Sequence, residues 1–431
     1  MTLLLTRGKR LLTRSQSLWS YGLHTWLRYL ELTQFWQERA LVLWAQMDWL
    51  FQPALVFALS RLLIFGVGLI GDVFLATAEN HWVADPSSLF LSMWAKWDSQ
   101  WYVQIARDGY TFQPLGQSNV AFFPLYPLLM RLLALALGGN FVFAGFLISM
   151  SAFFVALIVL YQLAQLELKD RDAARRTLYY LAFFPTAFFF HAVYTESLFL
   201  LLALSATYFA RKQQWAIAAA CGLLAAATRN LGIVLWGLVM WEWLRHHGWR
   251  ITQIHRRQTW LNLWRAIKRH WSEPLLLAAI PVGLLLYIFF LKLNFERPFA
   301  FIEAQAAWGR QNIGPLAVLY KEIIYLPNFK MNMGGVLHIL NLMVTLSVLA
   351  TIPFIWRKLG EGYALYVLIL LLVPISSALM SVIRYVLTLF PVFILLGGWG
   401  RHAWVDRFLL TVFAALLGVL TTVFVNWYFI A

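Results

Sequence analysis

The sequence predicts an all-α polytopic membrane protein, and three observations carry that expectation. The chain of 431 residues is 61% hydrophobic and only 12% charged, with a mean hydropathy of +0.68. Apolar runs of about 20 residues recur along it, the length that crosses a hydrocarbon core of about 30 Å. Lysine and arginine collect in short segments between those runs, where they set orientation. A transmembrane barrel would instead show alternating segments of about 10 residues. The position of the basic residues also accounts for the net charge of +15, so nucleic acid is not an expected partner.

Several chemistries are absent from the pattern. The single cysteine, Cys221, lies in an apolar run, which leaves no disulfide framework and no cysteine-based metal site. There is no HExxH, no GxGxxG and no Walker loop.

Residues 1–50 read as a cytoplasmic or interfacial N-terminal segment. Arg7, Lys9, Arg10 and Arg14 precede no apolar stretch long enough for a signal peptide. Over 17–50, Trp and Leu alternate with Arg28, Glu31, Glu38 and Arg39, as in helices that lie in a membrane surface. Residues 51–431 form the transmembrane domain. Its spans are expected near 53–76, 141–163, 177–194, 196–210, 215–228, 231–244, 274–293, 335–356, 363–382, 385–400 and 408–429, about eleven helices in all.

Orientation comes from the basic loops. Segment 245–272 holds Arg245, Arg250, Arg256, Arg257, Arg265, Lys268 and Arg269 and no acid. The loop 245–273 is therefore the strongest cytoplasmic marker. The N-terminus, loop 167–176, Arg211-Lys212, Arg357-Lys358 and Arg401 agree with it. One assignment satisfies all of them: N-terminus inside, C-terminus outside, and 121–137 a helix that does not cross. Two long extracytoplasmic loops result, 78–140 and 294–334. No internal repeat is visible, which speaks against a secondary transporter.

The candidate chemistry sits in the first of these loops, at Trp97-Asp98-Ser99-Gln100-Trp101-Tyr102. Taken as one helix over 90–108, Phe90, Trp94, Trp97, Trp101 and Ile105 fall on an arc of about 80°, with Lys96, Val103 and Arg107 opposite. Asp98 borders this tryptophan keel and shares its side with Tyr102. A carboxylate there is partly desolvated, which suits a base; the competing reading is a charge that only reaches for water. Glu196, Arg229-Asn230 and Arg384-Tyr385 lie at three other turns on the same side of the membrane. Each is costly near hydrocarbon unless paired. One cavity holding two acids and two arginines accounts for them together, against separate helix-end charges. Arginine suits a phosphate because its planar fork stays charged when desolvated. A sugar carried on a polyprenyl phosphate needs a base for the attacking hydroxyl and positive charge for the departing phosphate. Asp108 reads as structural, with Gly109 a left-handed helix stop. Tyr126 reads as an interface anchor and His191 as a buried, hydrogen-bonded histidine. Gly66, Gly68, Gly71, Gly397 and Gly398 read as sites of close helix packing.

At these residues the chain resembles the PIG-V type mannosyltransferases. Lys96 to Tyr102 and Ile105 to Tyr110 resemble the family's first-loop signature, and Phe122 to Pro127 the motif after it. Tyr194 to Phe199, Thr228 to Gly232, and Arg384-Tyr385 with Phe390-Pro391 come next in the same order. The resemblance covers about 55–400. It implies a GT-C glycosyltransferase fold, a polyprenyl-phosphate mannose donor, and transfer to a lipid or glycolipid acceptor on the non-cytoplasmic face. In eukaryotic members that acceptor is a glycosylphosphatidylinositol precursor. By the family pattern Asp98 is the catalytic residue, while Glu196, Arg229 and Arg384 line the donor and acceptor site. Trp97, Trp101, Tyr102, Arg107, Asn230 and Tyr385 complete the expected substrate contacts.

The expected function is thus an inverting membrane mannosyltransferase with a lipid-phosphate sugar donor, in a bacterial plasma membrane, or the endoplasmic reticulum in a eukaryote. No cofactor is assigned: a divalent cation is possible, but Asp98 and Glu196 alone do not make a site for it. The alternatives are a transferase of another lipid-linked sugar, a protein O-glycosyltransferase, and a lipid transporter or flippase.

Overall fold

The computed structural model describes residues 47–79, 82–84, 88–114, 116–326, 330 and 332–430. Two compact units separate at Gln52, Met1–Gln52 and Pro53–Ala431. The interfacial helices expected over 17–50 fall, up to residue 46, outside the described residues. Among the described residues, the second unit holds every helix apart from the first turn of the leading one.

Among the described residues the chain is helical, with no strand. Among the described residues four helices are long and apolar enough to cross a membrane: α1 (Asp48–Phe74), and three whose ranges are Phe141–Leu168, Met333–Lys358 and Ala403–Val425. A bent pair, Val382–Thr388 with Phe390–Trp399, makes a fifth if counted as one broken span, its arms at 79°. The chain is an integral membrane protein. Other expected spans are shorter helices of 13 to 16 residues, Glu196–Arg211, Trp215–Thr228, Val234–His246, Val282–Phe295 and Glu361–Ile375.

After α1 the first long segment folds into α2 (Leu89–Met93), α3 (Ser99–Asp108) and α4 (Leu125–Ala136). At 12 residues α4 rises about 18 Å, short of a hydrocarbon core. Its Arg131 donates from Nε to Ala106 O (2.7 Å) and from Nη2 to Arg107 O (2.9 Å), so it closes the last turn of α3. Tyr126 is not an interface anchor. It is fully buried, and its hydroxyl bonds Gly145 O at 2.9 Å and Ser149 Oγ at 2.8 Å.

α5 (Phe141–Leu168) begins where Asn140 accepts from the Phe143 N–H, and ends at Lys169 in a left-handed turn, φ 53°. Asp170 then caps α6 (Arg171–Ala182) by accepting from Asp172 and Ala173 N–H. The expected loop 167–176 is therefore a tight helix-to-helix turn.

The expected span 177–194 is not a continuous helix. Pro185 disfavours helical geometry in the residue before it and offers no N–H. The chain from 183 to 195 runs through turns around a short 3-10 stretch, Ala187–Phe190. This irregular backbone is almost entirely buried in protein, the condition under which such backbone is tolerated at membrane depth.

α7 (Glu196–Arg211), α8 (Trp215–Thr228) and α9 (Val234–His246) pack in sequence. The expected basic loop after them is itself structured. It holds α10 (Arg257–Arg269), whose Trp260 and Trp264 are exposed. The expected span 274–293 is broken at Pro281 into α11 (Ser272–Leu277) and α12 (Val282–Phe295). At Gly283 an added Cβ would strike Leu223 O, so the absence of a side chain lets α12 lie on α8. Gly68 and Gly71 likewise face the Trp94 ring and Thr422, and Gly397 faces Thr177, whereas Gly66 faces open space.

The second long segment carries α13 (Ala300–Glu303) and α14 (Pro315–Tyr325). It meets the first where Phe301 packs edge-on against Phe123, ring centroids 5.5 Å apart, while Tyr287 of α12 joins the same small apolar core and donates to Val120 O at 2.8 Å. α15 (Met333–Lys358), α16 (Glu361–Ile375), α17 (Val382–Tyr385), α18 (Phe390–Trp399) and α19 (Ala403–Val425) complete the unit.

At one end of the unit, Arg211 bonds Glu167 through both Nε (2.6 Å) and Nη2 (2.8 Å), and Glu242 through Nη1 (3.1 Å). Arg245 adds a bond to Glu242, and Tyr363 one to Glu167, both 2.8 Å. These partners come from α5, α7, α9 and α16 and tie their ends together.

Candidate active site

The expected single helix over 90–108 is interrupted. α2 stops at Met93, and Trp97 takes a left-handed backbone, φ 50°, which a bulky residue rarely adopts. The chain thereby turns, and Asp98 stands at the head of α3. The tryptophan keel is lost with it. Trp94 is fully buried against His191, ring centroids 4.3 Å apart. Trp97 meets Trp427 and Phe429, at 5.5 and 5.3 Å. Lys96 is buried rather than solvated, its amine over the Trp427 ring at 5.3 Å, and burial pushes its pKa down to about 8.

The turn is held by Tyr194, whose hydroxyl donates to Lys96 O and accepts from the Asp98 N–H, both at 3.1 Å. Trp94 O also accepts from Val193 N–H at 2.9 Å. The buried segment before α7 and the outer segment before α3 are thus stitched side by side, which brings Asp98 next to Glu196, the first residue of α7.

Arg384, on α17, lies between the two acids. Its Nη1 is 2.8 Å from Asp98 Oδ2, and its Nε is 3.5 Å from Glu196 Oε1. Arg229, where α8 ends, reaches Glu196 Oε1 with Nη1 at 3.1 Å. Four charges from four separate chain breaks therefore meet. Their side-chain exposures differ: Glu196 1%, Arg384 8%, Arg229 18% and Asp98 30%. Asp98 is the acid that solvent reaches. Glu196 Oε2 finds no hydrogen-bond partner among the described residues although it is buried.

Tyr385 sits among the cations. The guanidinium carbons of Arg384, Arg229 and Arg310 lie 5.4, 5.6 and 5.9 Å from its ring centroid, within cation–π range. Arg310 Nη2 also donates to its hydroxyl at 2.9 Å. Arg310 is a residue that sequence reasoning missed. It comes after Gly309 in the second long segment, where an arginine carries no penalty that would single it out. With it the arginines outnumber the acids.

The remaining expected residues divide. Tyr102 is buried beneath the site, its hydroxyl 3.3 Å from Thr195 Oγ1. Burial, and then Glu196, raise its pKa, so it stays protonated. Trp101 stacks on Phe122 at 6.0 Å, with Trp308 edge-on at 6.1 Å. Arg107 and Asn230 do not join the charges. Arg107 is exposed at the far end of α3 and pairs with Asp108. Asn230 is exposed and accepts from the Leu231 N–H in a local turn. Gly109 ends α3 at φ 91° and ψ −165°, not in the left-handed helical cap expected. His191 is buried as expected, but both its ring nitrogens lack partners among the described residues. No three metal-ligating side chains converge among the described residues, and the two acids that do meet are engaged by guanidinium.

Comparison with known proteins gives one family. Its model, Mannosyltransferase (PIG-V), matches residues 69–290, just over half of the chain. That range includes Asp98, Glu196 and Arg229, while Arg310 and Arg384 lie beyond it. No curated protein matches the chain.

Proposed function

The chain belongs to the PIG-V mannosyltransferase family of membrane glycosyltransferases, and from that premise we propose that it moves mannose from a polyprenyl-phosphate donor to a lipid or glycolipid acceptor on the non-cytoplasmic face. The reaction is a single displacement with inversion. The acceptor oxygen attacks the anomeric carbon as Asp98 takes its proton. The bond from that carbon to the phosphate oxygen breaks, and the electron pair leaves with the polyprenyl phosphate. Arg384 and Arg229 receive that charge, joined by Arg310. Glu196 holds both arginines in place and through them orients the donor.

The observation that carries this reading is a solvent-reaching carboxylate in contact with a guanidinium, in a cluster where arginines outnumber acids. Desolvated guanidinium groups are matched to a phosphate leaving group. A glycosidase would need a second carboxylate free to act as acid, whereas Glu196 is almost fully buried and already spanned by two arginines. The same reading takes the unit as a GT-C fold, supported by an acid on the first long segment after α1.

The test is Asp98→Asn in the purified protein with radiolabelled lipid-linked mannose. Transfer should fall by about 10²–10⁴-fold, the usual contribution of a general base, while donor binding is kept. Transfer at the wild-type rate would remove Asp98 as the base.

A further inference from the structure

We propose that a groove on the outward face of α3 binds a neutral sugar unit of the acceptor, at a distance from the unit that receives mannose. The proposal rests on the transfer reading above and adds a subsite to it. The groove has a volume of about 320 Å³ and is lined by Trp82, Gln100, Trp101, Val103, Gln104 and Arg107.

The sequence spacing explains the lining. Gln100, Val103, Gln104 and Arg107 stand at i, i+3, i+4 and i+7, one stripe of a helix. The opposite stripe, Tyr102, Ile105 and Ala106, is buried. A stripe facing lipid would be apolar, and one facing only water would be mainly charged. Here two half-buried amides share the lining with two indoles. Among the described residues neither amide side chain meets a hydrogen-bond partner. An amide both donates and accepts, as a sugar hydroxyl does. Indole faces supply flat apolar area with little loss of side-chain freedom.

The charge decides against a phosphate. Arg107 is the groove's cation, and Asp108 holds it through Nε at 3.0 and 3.1 Å and through Nη2 at 3.0 Å. The pair is neutral, so an anion gains nothing there that it does not gain at Arg384. The groove is also preformed, since Arg131 fixes the last turn of α3 by two bonds to its carbonyls.

Asp98 heads the same helix, two residues before Gln100. By helix geometry its side chain and the amide stripe face different sides of the axis. An acceptor held in the groove therefore rounds the first turn of α3 to reach the base.

The experiment uses the full chain in lipid nanodiscs, with octyl α-mannoside as the probe. Acceptor KM and saturation-transfer NMR of the probe are compared between wild type and Gln100→Ala/Gln104→Ala. Alanine is the better helix former, and an unchanged thermal midpoint confirms folding. The double variant should raise the acceptor KM by about 10–100-fold, about 1 kcal/mol for each amide, and lose the NMR signal, with donor KM unchanged. Unaltered acceptor KM and NMR signal would overturn the groove. Absence of mannose transfer by the wild type, with probe binding lost only in the double variant, would overturn the transfer reading and leave the groove standing.

Discussion

Arg384 is held by two carboxylates at once, and its loss would strand Asp98 and leave Glu196 to Arg229 alone. Removing one partner of a buried ion pair costs about 3–5 kcal/mol. Arg384→Ala should therefore lower the thermal midpoint clearly, weaken donor binding and abolish transfer. Arg384→Lys should restore part of the stability and little of the transfer, because an ammonium lacks the fork that spans Asp98 and Glu196. Thermal unfolding in detergent and donor KM measure the two effects separately, and a silent Arg384→Ala would dismiss the phosphate role. At this scale the sequence was legible where a residue is out of place. Asp98, Glu196, Arg229 and Arg384 stand out because charge beside apolar runs is expensive. Arg310 does not stand out, since the segment around it is polar. The left-handed turn at Trp97 was illegible for the opposite reason: nothing in a tryptophan signals a positive φ, and the turn is held by tertiary contacts, the Tyr194 hydroxyl and the packing of its ring against Trp427 and Phe429.

At the scale of elements, the site is made from places where helices fail. α3 starts at Asp98, α7 starts at Glu196, α8 ends before Arg229, and α17 is a four-residue helix bent away from α18. Ser381 enters α17 with φ 72°, a strained backbone for any residue with a Cβ. Ser381→Gly should keep or raise the thermal midpoint, while Ser381→Val should lower it, costing about 1–2 kcal/mol of stability, and reduce transfer by shifting Arg384. Equal midpoints for the two variants would show that α17 does not depend on this turn. Apolar run length located most helices but not their breaks. Pro185 and Pro281 are visible in the sequence, yet a proline in an apolar run can kink a helix or end it, and tertiary packing chooses. Around 183–195 the segment ends as buried turns, because α5, α7 and the outer segment supply its hydrogen bonds: Ser149 and Trp94 bond Tyr194 and Val193.

For the whole molecule, the basic loops and the acid cluster must lie on opposite membrane faces if the proposed reaction is right. In a Cys221→Ser background, Gln113→Cys and His255→Cys mark the two sides, both positions being exposed. A membrane-impermeant thiol reagent on intact cells should label the first and spare the second. The reverse pattern would put the charges in the cytoplasm and overturn the proposed face. The expectation of this orientation comes from the lysines and arginines of the loops alone. The distance in sequence between site partners has a consequence for biogenesis. Glu196 meets Arg229 after only 33 residues, but Asp98 and Arg384 are 286 apart. At a synthesis rate of about 5–20 residues per second, a nascent chain holds Asp98 for roughly 14–57 s before its counter-ion leaves the ribosome. Until then the aspartate must stay hydrated at the bilayer edge, and a chain truncated short of residue 384 carries that orphaned acid for whatever quality-control protease surveys the membrane.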